Sequence, residues 1–206
     1  MKLNSKQLRD LKPEEAKLVL RQAQDAASEQ DRDTVRNPIF FIVENVYDTY
    51  NVGGLFRLAD ALNVAKIYLC GETEIPPNHK IVKASIGTYK IVPWEYKSSA
   101  AEAIAELRTQ NSDVGKNLKT DNRKPITIIA VEQSGKSIDY RKASYEAPVA
   151  LLVGNETSGV TEETLTLCDQ IVEIPMWGIN KSLNVIVSAA IVGYFVVGST
   201  VTPSES

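Results

Sequence analysis

The feature that most constrains this chain is a set of short, near-continuous apolar runs along its middle: Ile39–Val43, Val64–Cys70, Ile126–Val131 and Val149–Val153. Runs of this length read as strands buried on both faces, the pattern of parallel sheets. Between them, apolar residues recur at helical spacing: Leu55, Leu58, Ala59 and Leu62 first, then Ala101, Ile104, Ala105 and Leu107 within Ser98–Arg108. Strand, helix, strand is a βαβ unit. The continued alternation predicts an α/β fold, a mostly parallel sheet with helices on both faces. A short helix is expected over Pro77–Ala84, a strand over Tyr89–Val92 and another over Ile171–Ile174. Thr161 is a plausible N-cap for a helix to about Leu167, with Glu162 and Glu163 in its first turn. A long C-terminal helix is expected over Ser182–Val197, capped by Ser182, and residues 109–125 and the stretch before Pro148 read as polar loops.

The 206 residues suit one ordinary domain, and 43% hydrophobic content is enough to build a core. Ahead of it, Pro13-Glu14-Glu15 begins a helical arm (residues 1–37), with Ala16, Val19, Leu20, Ala23, Ala26 and Ala27 along one face. The main domain is expected over 38–198, with a frayed tail over 199–206. One histidine, His79, and two distant cysteines, Cys70 and Cys168, cannot make a zinc-finger site, so no metal is expected. They suggest a reducing, cytoplasmic setting. The first thirty residues lack the apolar core of a signal peptide, and Val185–Val197 falls short of the roughly 20 residues of a membrane span. Net charge is −3, which excludes a uniformly basic coat for nucleic acid. Residues 108–142 are locally basic, with eight basic and four acidic side chains, whereas residues 143–206 carry one and seven. That basic stretch reads either as a phosphate-contacting loop or as a solvated surface insertion.

In open α/β sheets, ligands gather beyond the carboxyl ends of the strands, and three segments there are unusual. Asn51-Val52-Gly53-Gly54-Leu55-Phe56-Arg57 reads as a glycine turn that lets the backbone approach a neighbour, with Arg57 one turn into the helix. It lacks the Gly-x-Gly-x-x-Gly of a dinucleotide site, which argues against a nicotinamide enzyme. Gly154-Asn155-Glu156-Thr157-Ser158-Gly159-Val160-Thr161 follows a buried strand, but Val160 stands where a P-loop has its lysine. The third, Ile174 to Val185, crowds proline, glycine and an aromatic before Ser182-Leu183-Asn184. Asn184 is an odd choice for a helix interior.

Together these segments resemble the three signature motifs of the SPOUT superfamily of RNA methyltransferases, in its SpoU/TrmH branch of ribose 2′-O-methyltransferases. The first motif matches at Asn51, Gly53-Gly54 and Arg57; the second, Gly-x-Glu-x-x-Gly, at Gly154, Glu156 and Gly159. The third, Ile-Pro-Met-x-Gly then Ser-Leu-Asn-Val, matches at Ile174–Gly178 and Ser182–Val185. The resemblance runs from about Ile39 to Val197. It departs at Ile186, where the family often has a second serine, and the acidic C-terminal quarter lacks the basic tail of some tRNA-modifying members.

The resemblance implies a C-terminal deep trefoil knot, S-adenosyl-L-methionine as cofactor, and a homodimer. Gly154, Ile174, Met176 and Leu183 would line the cofactor pocket. The long C-terminal helix and the first βαβ helix are the candidate dimer interface. The reaction implied is in-line methylation of an RNA ribose 2′-hydroxyl. Arg57 resembles the catalytic arginine; a guanidinium does not deprotonate, so it is read as a clamp on the adjacent phosphate, which could itself take the proton. Asn51, Glu156, Ser182 and Asn184 would orient the ribose, Arg57 and the donor. RNA contacts would come from the arm, Lys83, Lys90 and residues 108–142. Fewer than forty residues precede the first strand, which favours tRNA over rRNA as substrate. The alternatives are the same chemistry on rRNA and a non-catalytic RNA-binding relative.

Overall fold

The computed structural model describes residues 36–109, 125–180 and 182–200. The expected helical arm, most of the 109–125 loop with Lys116, Lys119, Arg123 and Lys124, and the end of the tail lie outside the described residues.

Seven strands form one sheet: β1 (Asn37–Glu44), β2 (Val64–Cys70), β3 (Trp94–Lys97), β4 (Thr127–Val131), β5 (Ile138–Asp139), β6 (Val149–Val153) and β7 (Gln170–Glu173). Their order is β3-β2-β1-β6-β4-β7-β5, and every pairing is parallel. The helices are α1 (Thr49–Ala61), α2 (His79–Ser85), α3 (Ala100–Thr109), α4 (Glu162–Leu165) and α5 (Val185–Thr200).

Alternation along each strand sends apolar side chains to both faces. Ile39, Phe41, Val43, Leu151 and Val153 pack with Val52, Leu55 and Phe56 of α1 and with Val185, Ala189, Val192 and Val196 of α5. Phe40, Ile42, Ala150 and Leu152 face the other way, onto Ala103, Ile104 and Leu107 of α3 and Leu165 of α4. β6 lies between β1 and β4 and is wholly buried. Its carboxyl end therefore opens at the middle of the sheet.

Four expectations change. The strand expected over Tyr89–Val92 is instead a 3₁₀ turn, Thr88–Lys90, entered through Gly87 at φ 88°. The edge strand starts at Trp94, because Pro93 has no N–H and serves the ladder only through its carbonyl, which accepts from Ile67 at 2.9 Å. The loop before Pro148 contains the two-residue β5, too short to leave a periodic signal. The first motif is helical throughout: α1 begins at Thr49, where Asp48 accepts from the Tyr50 N–H at 2.8 Å as N-cap. The last helix begins at Val185 and runs to Thr200, three residues beyond the expected end, with Ser199 and Thr200 bonded back to Phe195 and Val196.

The glycines of α1 are explained by packing rather than by a turn. A Cβ on Gly53 would lie 2.5 Å from the Ala84 Cβ of α2, and one on Gly54 would lie 2.2 Å from Ile186 Cδ1 of α5. Close approach on two sides outweighs the usual helical penalty of about 1 kcal/mol for glycine.

Candidate active site

Beyond the carboxyl ends of β4, β6 and β7 lies a cavity of about 220 Å³. Its walls are the turn after β6 (Gly154–Gly159), the start of the segment after β7 (Ile174, Met176), and Ser182, Leu183, Val185 and Ser188 at the entry to α5. All four residues expected to hold a cofactor, Gly154, Ile174, Met176 and Leu183, line it, as do Glu156 and Ser182.

The turn after β6 is folded by its own polar groups. The Asn155 and Gly159 backbones bond each other in both directions, at 3.2 and 2.9 Å. Asn155 Oδ1 accepts from the N–H groups of Thr157 and Ser158, and its Nδ2 donates to the Asn45 carbonyl just beyond β1. Gly159 has φ +69°, a conformation that favours glycine. Thr161 caps α4 as expected, accepting from the Thr164 N–H.

Behind the cavity wall, one side chain from each motif segment joins a chain of hydrogen bonds. Asn51 Nδ2 donates to Glu156 Oε1 at 2.5 Å, and Asn184 Nδ2 donates to Asn51 Oδ1 at 2.9 Å. Asn184 Oδ1 accepts from the Ile186 N–H at 2.9 Å, so Asn184 caps α5. This corrects the reading of Ser182 as the cap: Ser182 is exposed, three residues before the helix, on the cavity rim. The odd asparagine at the helix entry is thereby explained. Arg57 stands apart from the cavity lining. It is exposed on α1, three and four residues beyond the two packed glycines, so it emerges on the side of α1 that meets α2 and the start of α5.

Among the described residues the lining carries Glu132, Glu156 and Glu173 and no Lys, Arg or His. Apolar side chains (Val131, Val153, Ile174, Met176, Leu183, Val185) line most of the remainder, with Gln133, Ser158, Ser182 and Ser188 among the polar groups. Glu132, Gln133, Glu173 and Ser188 were not expected. Glu132 and Gln133 directly follow an apolar strand beside β6, and the rule that sites gather at strand carboxyl ends would have found them. Among the described residues no group of three or more His, Cys, Asp or Glu is placed to hold a metal ion. Trp177 and Ile179 project into solvent, 86% and 99% exposed, so Trp177 fills no core.

The parallel sheet and this three-part site define the class, and sequence comparison gives the family: residues 38–194 match the SpoU rRNA methylase family, and the chain belongs to it. Among its relatives are tRNA (guanosine(18)-2′-O)-methyltransferases. That of Escherichia coli is 29% identical over 155 residues, 74% of this chain and 59% of the relative. That of Thermus thermophilus is 30% identical over 151 residues, 73% of this chain and 70% of the relative. The 23S rRNA (guanosine-2′-O-)-methyltransferase RlmB of Neisseria meningitidis is 29% identical over 155 residues, 75% of this chain and 56% of the relative. The SpoU methyltransferase AviRb of Streptomyces viridochromogenes, solved in complex with the cofactor AdoMet, superposes with a TM-score of 0.69 at 27% identity. That match covers 82% of this chain and 60% of the other. The chain thus spans under two thirds of the length of several relatives it matches.

Proposed function

We propose that this protein is an S-adenosyl-L-methionine-dependent methyltransferase acting on a ribose 2′-hydroxyl of RNA, with tRNA as substrate. The observation that carries the reading is that the second and third motif segments line one cavity and the first is tied to both, through the bonds of Asn51 with Glu156 and Asn184. The cavity suits the cofactor chemically: apolar walls for adenine, and carboxylates, with no cation among the described lining residues, for a ligand bearing a sulfonium and an ammonium. Gly154, Ile174, Met176 and Leu183 would hold it. When bound, it supplies a methyl group already activated for transfer.

The chain's own residues then align and polarise. Arg57, permanently charged and exposed, clamps an RNA phosphate and stabilises negative charge as the 2′-hydroxyl loses its proton. A non-bridging oxygen of that phosphate accepts the proton. Ser182, exposed on the rim, is placed for the ribose. The Glu156–Asn51–Asn184 chain fixes α1, the turn after β6 and the start of α5 relative to one another, which holds Arg57 in register with the cavity. The excursion from Gly154 to Asn184 is read as the knotted part of the fold. Its support is that the loop after β6 reaches across to the end of β1, where Asn155 bonds Asn45 and Thr161 bonds Glu44.

A homodimer through α1 and α5 is supported by Tyr50, Val187 and Tyr194, large apolar side chains left exposed on those helices. tRNA is supported by the tRNA (guanosine(18)-2′-O)-methyltransferases of Escherichia coli and Thermus thermophilus among the relatives. The rRNA reading rests on the RlmB relative. Both cysteines are free and no described helix is long and apolar enough to cross a membrane, which supports a cytoplasmic setting.

Thermal unfolding with S-adenosylhomocysteine tests the cofactor assignment. A ligand at 100 times its Kd stabilises by about 2.7 kcal/mol, which raises Tm by roughly 5–10 °C in a chain of this size. Stabilisation by NAD and none by S-adenosylhomocysteine would overturn it.

A further inference from the structure

The N–H groups of Val160 and Thr161 are consecutive, and each donates to a carboxylate from a different strand. Val160 donates to Glu132 Oε2 at 2.9 Å, and Thr161 donates to Glu44 Oε2 at 3.0 Å. Glu44 ends β1 and Glu132 follows β4, the two strands that flank β6. The segment leaving β6 is therefore gripped from both sides by its neighbours.

The two grips differ in what they face. Glu44 is 5% exposed and also accepts from the hydroxyls of Thr161 and Thr164, at 3.3 and 2.7 Å. It anchors the start of α4 from inside the protein. Glu132 lines the cavity. Its Oε1 accepts from the Gln133 N–H at 2.9 Å, and its own N–H donates to the Val172 carbonyl, which continues the β4–β7 ladder and fixes its backbone. Its carboxylate also abuts Gly159 so closely that a Cβ there would lie 2.3 Å from Oε2. Gly159 thus has two reasons to be glycine, its positive φ and the oxygen beside it.

We propose that Glu132 is a positioning residue: through the Val160 amide and the Gly159 Cα it sets the wall that Gly154–Gly159 presents to the methyl donor. This rests on the cofactor reading above and adds a residue outside the three motifs. The Val160 bond needs an acceptor oxygen and no net charge: a glutamine turned with its amide oxygen to Val160 keeps that bond and gives up only the one from the exposed Gln133 N–H, whereas alanine keeps neither.

The test compares wild type, Glu132→Ala and Glu132→Gln by calorimetric titration with S-adenosylhomocysteine, by steady-state kinetics, and by hydrogen exchange at the Val160 amide. Expected for Glu132→Ala is a rise of ten-fold or more in Kd and in KM for S-adenosylmethionine, with kcat within three-fold and KM for RNA unchanged. Val160 exchange should accelerate by at least ten-fold. Glu132→Gln should stay within three-fold of wild type throughout. Should Glu132→Ala not fold, Glu132→Asp, whose shorter side chain withdraws the oxygen, takes its place with the same expectation. Unchanged affinity and exchange in Glu132→Ala would overturn the proposal. So would a glutamine variant as impaired as the alanine one, since that would assign the charge to the ligand. If wild type binds no S-adenosylhomocysteine, the cofactor reading fails by itself. The grip on the loop is then judged on Val160 exchange alone: acceleration in alanine but not glutamine supports it, and no acceleration overturns it.

Discussion

Two polar networks in this molecule are built from similar residue types and differ in what they leave over. At the β2–β3 edge, Lys66, Glu95, Lys97 and Glu106 pair in alternation: Lys66 with Glu95, Lys97 with Glu106, and Lys97 with Glu95 at 2.7 Å. The buried Tyr68 hydroxyl donates to Glu106 at 2.9 Å. Two cations meet two anions, and each group's capacity is spent on its neighbours. Beyond β1, β6 and β4 the acceptors are carboxylates and the donors are backbone and side-chain amides and, at Glu44, threonine hydroxyls, so among the described residues negative charge is held in place without being cancelled. Glu44, Glu132 and Glu156 are all of this kind. The first network closes an edge; the second builds a wall, and the cavity lies against it. A cluster of charged residues is thus informative about function through the bonds it does not make internally.

Separate effects on activity and stability would sharpen this contrast. The largest is expected for Asn51→Ala, which removes both the bond to Glu156 and the bond from Asn184. Methyl transfer should fall by about 10²-fold, the usual scale for losing a positioned polar group at a transition state. Unfolding should change by only about 1–2 kcal/mol. Equal losses in Lys97→Ala would erase the distinction between the networks.

Lys97→Ala is next in size. It leaves Glu95 and Glu106 without a shared cation, so stability should fall by about 2–3 kcal/mol, read by urea unfolding, while activity at 25 °C stays within two-fold. A Lys97→Ala protein with native stability and poor turnover would place the chemistry at the wrong network.

The smallest effect concerns pH. Burial pushes the Cys70 and Cys168 thiols up from the ordinary value of 9.0 to about 12, and raises Tyr68 as well. Above pH 9 the unfolded chain releases these thiol protons while the folded chain keeps them. The stability they contribute is therefore complete below pH 9 and is lost progressively between pH 9 and 12. Tm should fall between pH 8.5 and 10.5, and less steeply in Cys168→Ser. A flat profile would contradict the assigned burial.

Much of the frame was legible because burial on both faces leaves a plain mark: the runs at Ile39, Val64, Ile126 and Val149 are strands within a residue or two of expectation. The failures share a cause, in that tertiary contacts reversed a local preference. Gly53 and Gly54 signal a turn locally, but Ala84 and Ile186 require them inside a helix. Ser182 and Asn184 are equally good caps by type, but Asn184 is held by Asn51 and takes the role. At the site, Gly154, Glu156, Ile174, Met176, Ser182 and Leu183 were legible as motif residues and meet at one cavity. For Glu132 the place at a strand's carboxyl end was legible but the role was not, because the motif residues it touches lie 27 and 28 positions away.

The central claim is that the joined motifs carry methyl transfer with Arg57 as the phosphate clamp. The most direct measurement is transfer of labelled methyl from S-adenosylmethionine to bulk tRNA and, separately, to rRNA, by wild type and Arg57→Ala. The account predicts label in tRNA, recovered as an alkali-resistant 2′-O-methylated dinucleotide, and a loss of about 10²–10³-fold in the variant with Tm unchanged. Label in rRNA alone would keep the chemistry and overturn the substrate. No transfer to either RNA, with S-adenosylhomocysteine bound, or full activity in Arg57→Ala, would contradict the account.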